Sequence, residues 1–199
     1  MEKHTLQEKS IILAVPSKKF SWYQYETVQK ILEDAGAEIF IISDNSIEAV
    51  ADNNNAITVD GALSIIDMSK YDGLFLIGGD ATVACLNTPE MHKLIKDAEV
   101  MDIPYGAIGL GVRILAYAKA LVGKEATGVN KDNALEDILE INGARYRKGS
   151  EARGENVIID KRTITAHDTN DAKAFAQEII KLLEKIDKGI TEDPLIKRG

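Results

Sequence analysis

The sequence is poor in the side chains that cross-link a chain or hold a metal. It contains one cysteine, Cys85, and three histidines among 199 residues. A single cysteine cannot form an intramolecular disulfide, which indicates a reducing compartment, and we expect a cytoplasmic protein. No group of His, Cys, Asp and Glu residues has the spacing of metal ligands, so no metal site is predicted.

Long apolar runs and an excess of positive charge are also lacking. The stretch "IILAVP" is too short for a signal sequence or for a helix that crosses a bilayer. The formal net charge of −8 argues against a general nucleic-acid or anionic-membrane surface. We therefore expect neither nucleic acid nor a membrane as a partner.

The composition that remains is that of an ordinary globular protein. Hydrophobic residues make up 45% of the chain and charged residues 28%, which is typical of a soluble domain with a sizeable core. No internal repeat and no low-complexity linker interrupts the sequence. We predict a single domain over residues 1–199, with its core at about 10–186.

Apolar runs alternate with amphipathic segments along the chain. Strands are predicted at 10–15, 38–43 and 71–80, and helices over "SWYQYETVQKILEDAG", "TPEMHKLIKDA", "NALEDILEINGA" and residues 171–186. "NVIIDKRTITA" predicts a strand, a turn and a strand, and Asp60-Gly61 predicts a hairpin or tight turn. Because each strand is a continuous apolar run, this alternation predicts an α/β fold. We expect a doubly wound, mostly parallel sheet with helices on both faces.

Ligands of such sheets collect outside the carboxyl ends of the strands. Three segments meet that condition, namely Gly78-Gly79-Asp80, Gly109-Leu110-Gly111 and Ala166-His167-Asp168. Glycines at these bends let backbone N–H groups approach a ligand oxygen, although tight turns alone also explain them. The middle segment belongs to "YGAIGLGVRILAYAKAL", where a strand turns abruptly into a helix.

Several stretches together resemble the ThiJ/PfpI family of the class I glutamine amidotransferase-like superfamily. They are "YDGLFLIGG", "PYGAIGLGVRILAYAKALVGKEATG", "INGARY" and "NVIIDKRTITA", in that order, and the resemblance covers about residues 10–186. The family includes intracellular proteases, glyoxalase-type and deglycase-type enzymes, chaperones and a redox protein associated with parkinsonism. The resemblance implies a flavodoxin-like (Rossmann-like) sheet, a homodimer or larger oligomer, and a nucleophilic cysteine at the bend between strand and helix.

On this chain the resemblance places Gly109 at the position of that cysteine and Leu110 at the residue after it. The family's supporting glutamate falls on Gln24, an amide that cannot act as a carboxylate base, with Glu26 as an alternative. Covalent catalysis requires a thiolate or an activated hydroxyl, which "AIGLGV" does not supply. The chain thus resembles a divergent member without its nucleophile, a pseudoenzyme. The Leu110 and Gly79 amides would remain to bind a ligand oxygen.

Two other residues are considered as replacements for the missing nucleophile. Cys85 follows Gly79 by six residues, and we expect it to be a small buried side chain in the next helix. His167 follows the last predicted strand, where it either polarises a ligand or hydrogen-bonds a loop. No spacing supports a pair of the two.

Arg113 lies four residues after Gly109, on the same face of the predicted helix. An arginine near a helix N-terminus is unfavourable against the helix dipole unless an anion lies beside it. That anion is either a ligand or an acidic side chain, with Asp80 or a residue across a subunit interface as candidates. The ligand alternative groups Gly79, Gly109, Gly111 and Arg113 in a pocket for a small anion or carboxylate.

The aromatic residues before and within the first helix have two interpretations. They either pack in an ordinary cluster, or Trp22 and Tyr23 form a wall of the pocket or a subunit contact.

Three functions are weighed. The leading one is non-catalytic binding of a small anionic or carbonyl ligand or of a protein partner. The second is an atypical hydrolase or glyoxalase that uses water and His167. The third is a nucleotide enzyme, since "LIGGDATV" resembles the GGDGT element of the NAD kinase and phosphofructokinase families. However, Ala81 replaces a glycine there and "GLGVRILA" falls short of GxGxxG, so no cofactor is expected.

Overall fold

A computed structural model describes residues 5–45, 47–149 and 156–189. The strands are β1 (Ser10–Ala14), β2 (Lys18–Phe20), β3 (Glu38–Ser43), β4 (Glu48–Ala51), β5 (Ala56–Thr58), β6 (Gly61–Ala62), β7 (Gly73–Leu76), β8 (Tyr105–Ile108), β9 (Glu125–Ala126), β10 (Arg145–Tyr146), β11 (Val157–Asp160) and β12 (Thr163–Ala166). The α-helices are α1 (Trp22–Asp34), α2 (Thr82–Leu86), α3 (Pro89–Val100), α4 (Gly111–Tyr117), α5 (Leu135–Ile141) and α6 (Ala172–Asp187). Short 3₁₀ turns lie at Leu63–Ile65, Met68–Lys70 and Thr169–Asp171.

The main sheet has seven strands in the order β11-β12-β8-β7-β1-β3-β6. Its pairings are parallel except that of β11 with β12, which form the predicted strand-turn-strand. From β3 to β12 the strands follow the flavodoxin order 2-1-3-4-5. The predicted fold class is confirmed.

Helices cover both faces of this sheet because successive side chains of each buried strand point to opposite sides. Ile12 and Leu74 pack with α3, α4 and α5, whereas Ile11 and Phe75 pack with α1 and α6. On the second face, Phe175 of α6 meets Phe75 edge to face at 6.0 Å between ring centroids. Apolar packing therefore covers both faces, which agrees with ligand sites at the carboxyl ends of the strands in such sheets.

Local signals place most helix ends where the sequence predicted them. The Thr88 side chain accepts a hydrogen bond from the Met91 amide at the start of α3. Gly36 and Gly143 follow α1 and α5 with φ angles of 98° and 84°, which glycine adopts without strain. Within the described residues, no helix has the length and apolarity needed to cross a membrane.

The hairpin predicted at Asp60-Gly61 does not form. Residues 56–58 (β5) pair with β4 in a separate three-stranded sheet, while residues 61–62 (β6) pair with β3 in the main sheet. Asp60 instead fixes the crossing between the two sheets, since its carboxylate accepts a hydrogen bond from the Ile41 amide at 2.7 Å. An Asp-Gly pair marks a change of direction, but it does not determine which strands pair.

Gly106 on β8 provides a test of how closely the central strands must approach. A Cβ at this position would lie 2.2 Å from the Ile164 carbonyl oxygen on β12. We expect Gly106→Ala to lower the free energy of unfolding by about 1–3 kcal/mol, measured by urea denaturation. Gly61→Ala on β6 is the control, because its nearest neighbour is the end of the Ile66 side chain at 3.3 Å. Equal losses in the two variants would contradict this account.

Candidate functional site

A cavity of about 560 Å³ opens at the carboxyl edge of the main sheet, beyond the ends of β7, β8 and β12. Gly79, Gly109, Leu110 and Arg113 line it, as does Gln24 from α1. The structure thus brings together five of the residues singled out in the sequence. Charges of both signs surround the mouth, namely Lys19, Lys131, Asp52, Asp80 and Asp168.

Gly109 forms the bend between β8 and α4. Its φ of 64° lies in the left-handed region that glycine occupies freely. A Cβ built on Gly109 would lie 3.2 Å from Nε2 of Gln24, so a side chain here would start beside that amide. The bend therefore presents backbone, and no nucleophilic atom, to the cavity.

Gln24 is 4% exposed and both ends of its amide are hydrogen-bonded. Its Oε1 accepts from the Gly78 amide at 2.9 Å, and its Nε2 donates to Oγ1 of Thr169 at 3.1 Å. Glu26 is exposed on α1 and does not line the cavity, so it does not replace Gln24 as the alternative supposed. The group beside the bend is a neutral amide.

Close contacts leave no room for a Cβ at either glycine of the pair after β7. A Cβ on Gly79 would lie 2.3 Å from the Lys19 carbonyl oxygen, and one on Gly78 would lie 3.2 Å from the Leu110 nitrogen. The two glycine turns therefore touch. Among the described residues, neither the Gly79 nor the Leu110 amide donates a hydrogen bond. Because both residues line the cavity, these two amides are the candidate backbone donors for a ligand oxygen.

Arg113 is the buried charge of the cavity, with 9% of its surface exposed. Its Nη1 donates to Oδ2 of Asp132 at 2.9 Å, and its Nη2 donates to Oδ1 of the same carboxylate. The sequence suggested Asp80 or a residue across a subunit interface as the partner of Arg113. The structure shows Asp132 instead. Sequence reasoning missed Asp132 because it lies 19 positions away, in the loop between β9 and α5.

The pKa of the Asp132 carboxyl is strongly lowered. Hydrogen bonds from Arg113, and then from the Ala134 amide, lower the pKa of its carboxyl from 3.8 to about 2. Its side chain is 55% exposed, whereas that of Arg113 is 10% exposed. The pair is thus a desolvated cation held by a largely hydrated anion.

Two predicted ligand residues, Gly111 and His167, do not line the cavity. Gly111 packs against the sheet, where a Cβ would lie 3.2 Å from both the Ala107 Cβ and the Leu76 carbonyl oxygen. The His167 ring lies against Gly149, and its backbone amide donates to the Asn156 carbonyl at 2.8 Å. His167 therefore belongs to the base of the last hairpin.

Ligand atoms of His167, Asp168 and Asp171 lie within 4.8 Å of one another, a grouping that sequence spacing did not predict. The two carboxylates already serve a capping box. Asp171 accepts a hydrogen bond from the Asp168 amide at 3.1 Å, and Asp168 accepts from the Asn170 amide at 2.9 Å. Helix capping explains this cluster, and we assign it no metal.

The aromatic residues form a cluster of their own. Trp22 packs on Phe20 and Tyr25 with ring centroids 6.4 and 5.7 Å away, while Tyr23 is 56% exposed. Neither Trp22 nor Tyr23 lines the cavity. Of the two interpretations, ordinary packing fits Trp22, and neither residue forms a wall of this cavity; a subunit contact stays a prediction.

The only thiol of the chain lies elsewhere. Cys85 is on α2 with its Sγ 3.7 Å from Oγ of Ser17, half-buried, and outside the cavity lining. Ser17 in turn donates to Oδ2 of Asp44 at 2.8 Å. Neither Cys85 nor His167 thus reaches the bend.

Known proteins share this sequence pattern and this fold. The DJ-1/PfpI family matches residues 9–182. General stress protein 18 of Bacillus subtilis is 26% identical over 181 residues, covering 87% of this chain and 98% of that protein. Deglycase TK1284 of Thermococcus kodakarensis is 24% identical over 156 residues, covering 76% and 86%. The crystal structure of a ThiJ/PfpI domain protein from Brachyspira murdochii has a TM-score of 0.81 at 23% identity, covering 90% and 98%.

The acidity of Asp132 gives a direct test of the ion pair. Arg113→Gln removes the guanidinium, so we expect the pKa of Asp132 to rise from about 2 toward 3.8, measured from its ¹³Cγ chemical shift. Because the folded-state pKa is depressed, the pair stabilises the fold above about pH 4, and this contribution fades as the pH falls toward 2.

The control is Arg162→Gln, which breaks the pair of Arg162 with Asp102 at 2.6 Å and leaves the cavity intact. Asp132 should keep its low pKa in that variant. An unchanged Asp132 in Arg113→Gln would show that the guanidinium does not set the shift.

Proposed function

The chain belongs to the DJ-1/PfpI family, and from this premise we propose that it binds a small molecule without covalent chemistry. The ligand would carry a carbonyl or anionic oxygen, bound by the Gly79 and Leu110 amides in the cavity. The observation that carries the proposal is that the bend at Gly109 presents only backbone to the cavity, at the position where the resemblance to the ThiJ/PfpI family implies a cysteine. A pocket with oxyanion-type donors and no nucleophile can bind a carbonyl, but it cannot form an acyl or hemithioacetal intermediate.

The surroundings of Gly109 support the same proposal. The resemblance implies that Gln24 takes the position of the family's supporting glutamate, and a carboxamide neither takes nor gives a proton near neutral pH. Its two hydrogen bonds, to Gly78 and Thr169, instead hold the neighbouring turns in place. Gln24 therefore organises the cavity and does not itself act as a base.

The alternative functions have less support from the geometry. A hydrolase or glyoxalase that uses water needs a base at the cavity, and His167 does not line it. The glycines of "LIGGDATV", which suggested a nucleotide enzyme, are accounted for by the contacts of Gly78 with Ile108 and of Gly79 with Lys19. No observation favours either alternative over binding.

The binding proposal is tested at the Leu110 amide. Leu110 has a φ of −68°, close to the value that proline fixes, so Leu110→Pro removes the N–H and keeps the φ of residue 110. Because proline also restricts Gly109 before it, thermal unfolding checks that the variant is folded. We expect hydroxyacetone and acetate to shift the ¹⁵N–¹H resonances of Gly79 and Leu110 in the wild type. Affinity should fall about tenfold in Leu110→Pro and stay unchanged in Leu110→Ala, which keeps the donor.

The same samples are assayed with methylglyoxal and with fluorogenic peptides. We expect the wild type to form product no faster than buffer alone does. Turnover above that rate would overturn the proposal, and its loss in His167→Ala would establish the hydrolytic alternative instead.

A second test asks whether the bend is a nucleophile position. In a Cys85→Ser background, Gly109→Cys creates a single thiol beside Gln24, which iodoacetamide should alkylate in the folded protein. Acetate in the solution should slow the alkylation of that thiol, because acetate and the thiol would occupy the same cavity. Leu86→Cys is the matched control, because Leu86 is fully buried on α2. Equal resistance to alkylation in both variants would show that the bend does not open to the cavity.

A further inference from the structure

The two side chains of the Arg113–Asp132 pair are buried to different extents. Arg113 is nine-tenths buried, while more than half of the Asp132 side chain is in solvent. A guanidinium removed from water requires an anion beside it, because an unpaired buried charge is strongly unfavourable. A hydrated carboxylate has no such need. Arg113 therefore depends on an anion, but not specifically on Asp132.

Asp132 also has a second partner. Its Oδ1 accepts a hydrogen bond from the Ala134 amide at 3.2 Å within the same loop. The residue lies outside regular secondary structure, between β9 and α5, and contributes to the wall of the cavity. Release from Arg113 would thus leave the carboxylate in water and still hydrogen-bonded to its own loop.

One hydrogen-bond donor of Arg113 does not bond to Asp132. Its Nε is buried and has no hydrogen-bond partner among the described residues. Buried polar atoms are rarely left without a partner, and Arg113 is one of the residues that line the cavity. An acceptor that engages Nε together with one Nη would satisfy it, in the paired geometry that arginine favours with carboxylates.

From these observations we propose that the cavity takes a small carboxylate with an adjacent carbonyl or hydroxyl oxygen, whose carboxylate displaces Asp132 from Arg113. The neighbouring oxygen would then accept from the Gly79 and Leu110 amides, so this inference rests on the proposed function. Asp132 acts as a built-in counter-ion that keeps Arg113 paired while the cavity is empty. One planar anion replaces another, and the buried charge stays balanced throughout the exchange.

The charges at the mouth do not provide this selectivity. Lys19 and Lys131 face the same opening as Asp52, Asp80 and Asp168. All of these but Asp168, which is half-buried, are exposed and screened by salt. Discrimination between a carboxylate and a neutral analogue therefore falls to Arg113.

The experiment compares pyruvate with methyl pyruvate, which has the same carbonyl but no charge. Titrations of ¹⁵N-labelled protein follow the backbone amides of Gly79, Leu110 and Ala134 and the Nε–H of Arg113. We expect pyruvate to shift all four signals and to bind at least about tenfold more tightly than methyl pyruvate.

Variants separate displacement from simple charge attraction. Asp132→Asn keeps the shape and the acceptor for Ala134 but weakens the competitor, so pyruvate affinity should rise about tenfold. Asp80→Asn removes the same charge from the mouth without touching Arg113, and should change affinity less than about threefold. Arg113→Gln should lose the preference for pyruvate while still binding hydroxyacetone. Thermal unfolding confirms that each variant is folded.

Other outcomes overturn the inference and leave the proposed function testable by itself. Equal affinity for pyruvate and methyl pyruvate would exclude recognition of the carboxylate, even where both shift Gly79 and Leu110. Equal gains in Asp132→Asn and Asp80→Asn would exclude displacement at Arg113. Inorganic phosphate binding as tightly as pyruvate would replace a carboxylate site by a general anion site.

Discussion

The buried amide of Gln24 is the interaction on which the candidate site depends. It joins α1 to the end of β7 through Gly78 and to the turn before α6 through Thr169. A buried amide must satisfy both its acceptor and its donor, so each of these segments is held in position by the other. Gly109 packs against the same amide, and the arrangement of the cavity floor follows from this one side chain.

Much of the fold could be predicted from local patterns. Continuous apolar strands and amphipathic helices predicted the parallel sheet with helices on both faces, and caps such as Thr88 fixed helix ends. The small sheet of β2, β4 and β5 was not predicted, and of the two alternatives given for Asp60-Gly61, a hairpin or a tight turn, the hairpin does not form. Both errors have one cause, since strand pairing is decided by distant partners that a local pattern does not contain. That the whole chain forms one domain stays a prediction.

The candidate site was only partly predictable. Glycines at strand ends located the bends correctly, because the carboxyl edge of a parallel sheet brings such turns together. Asp132 was missed, since an ion pair across a loop leaves no periodic signal in sequence. The sequence left two roles open for His167, because a residue that follows a strand can face either the cavity or the neighbouring hairpin. Family resemblance implies a homodimer and composition implies the cytoplasm, and both remain predictions.

The backbone angle of Gly109 has a consequence for the energetics of the fold. A residue with a side chain held at φ near 60° raises the energy of the native state by about 1–2 kcal/mol, a strain that catalytic bends commonly retain. With glycine in that position the bend is relaxed. The usual conflict between a strained reactive centre and a stable fold is therefore absent at this bend.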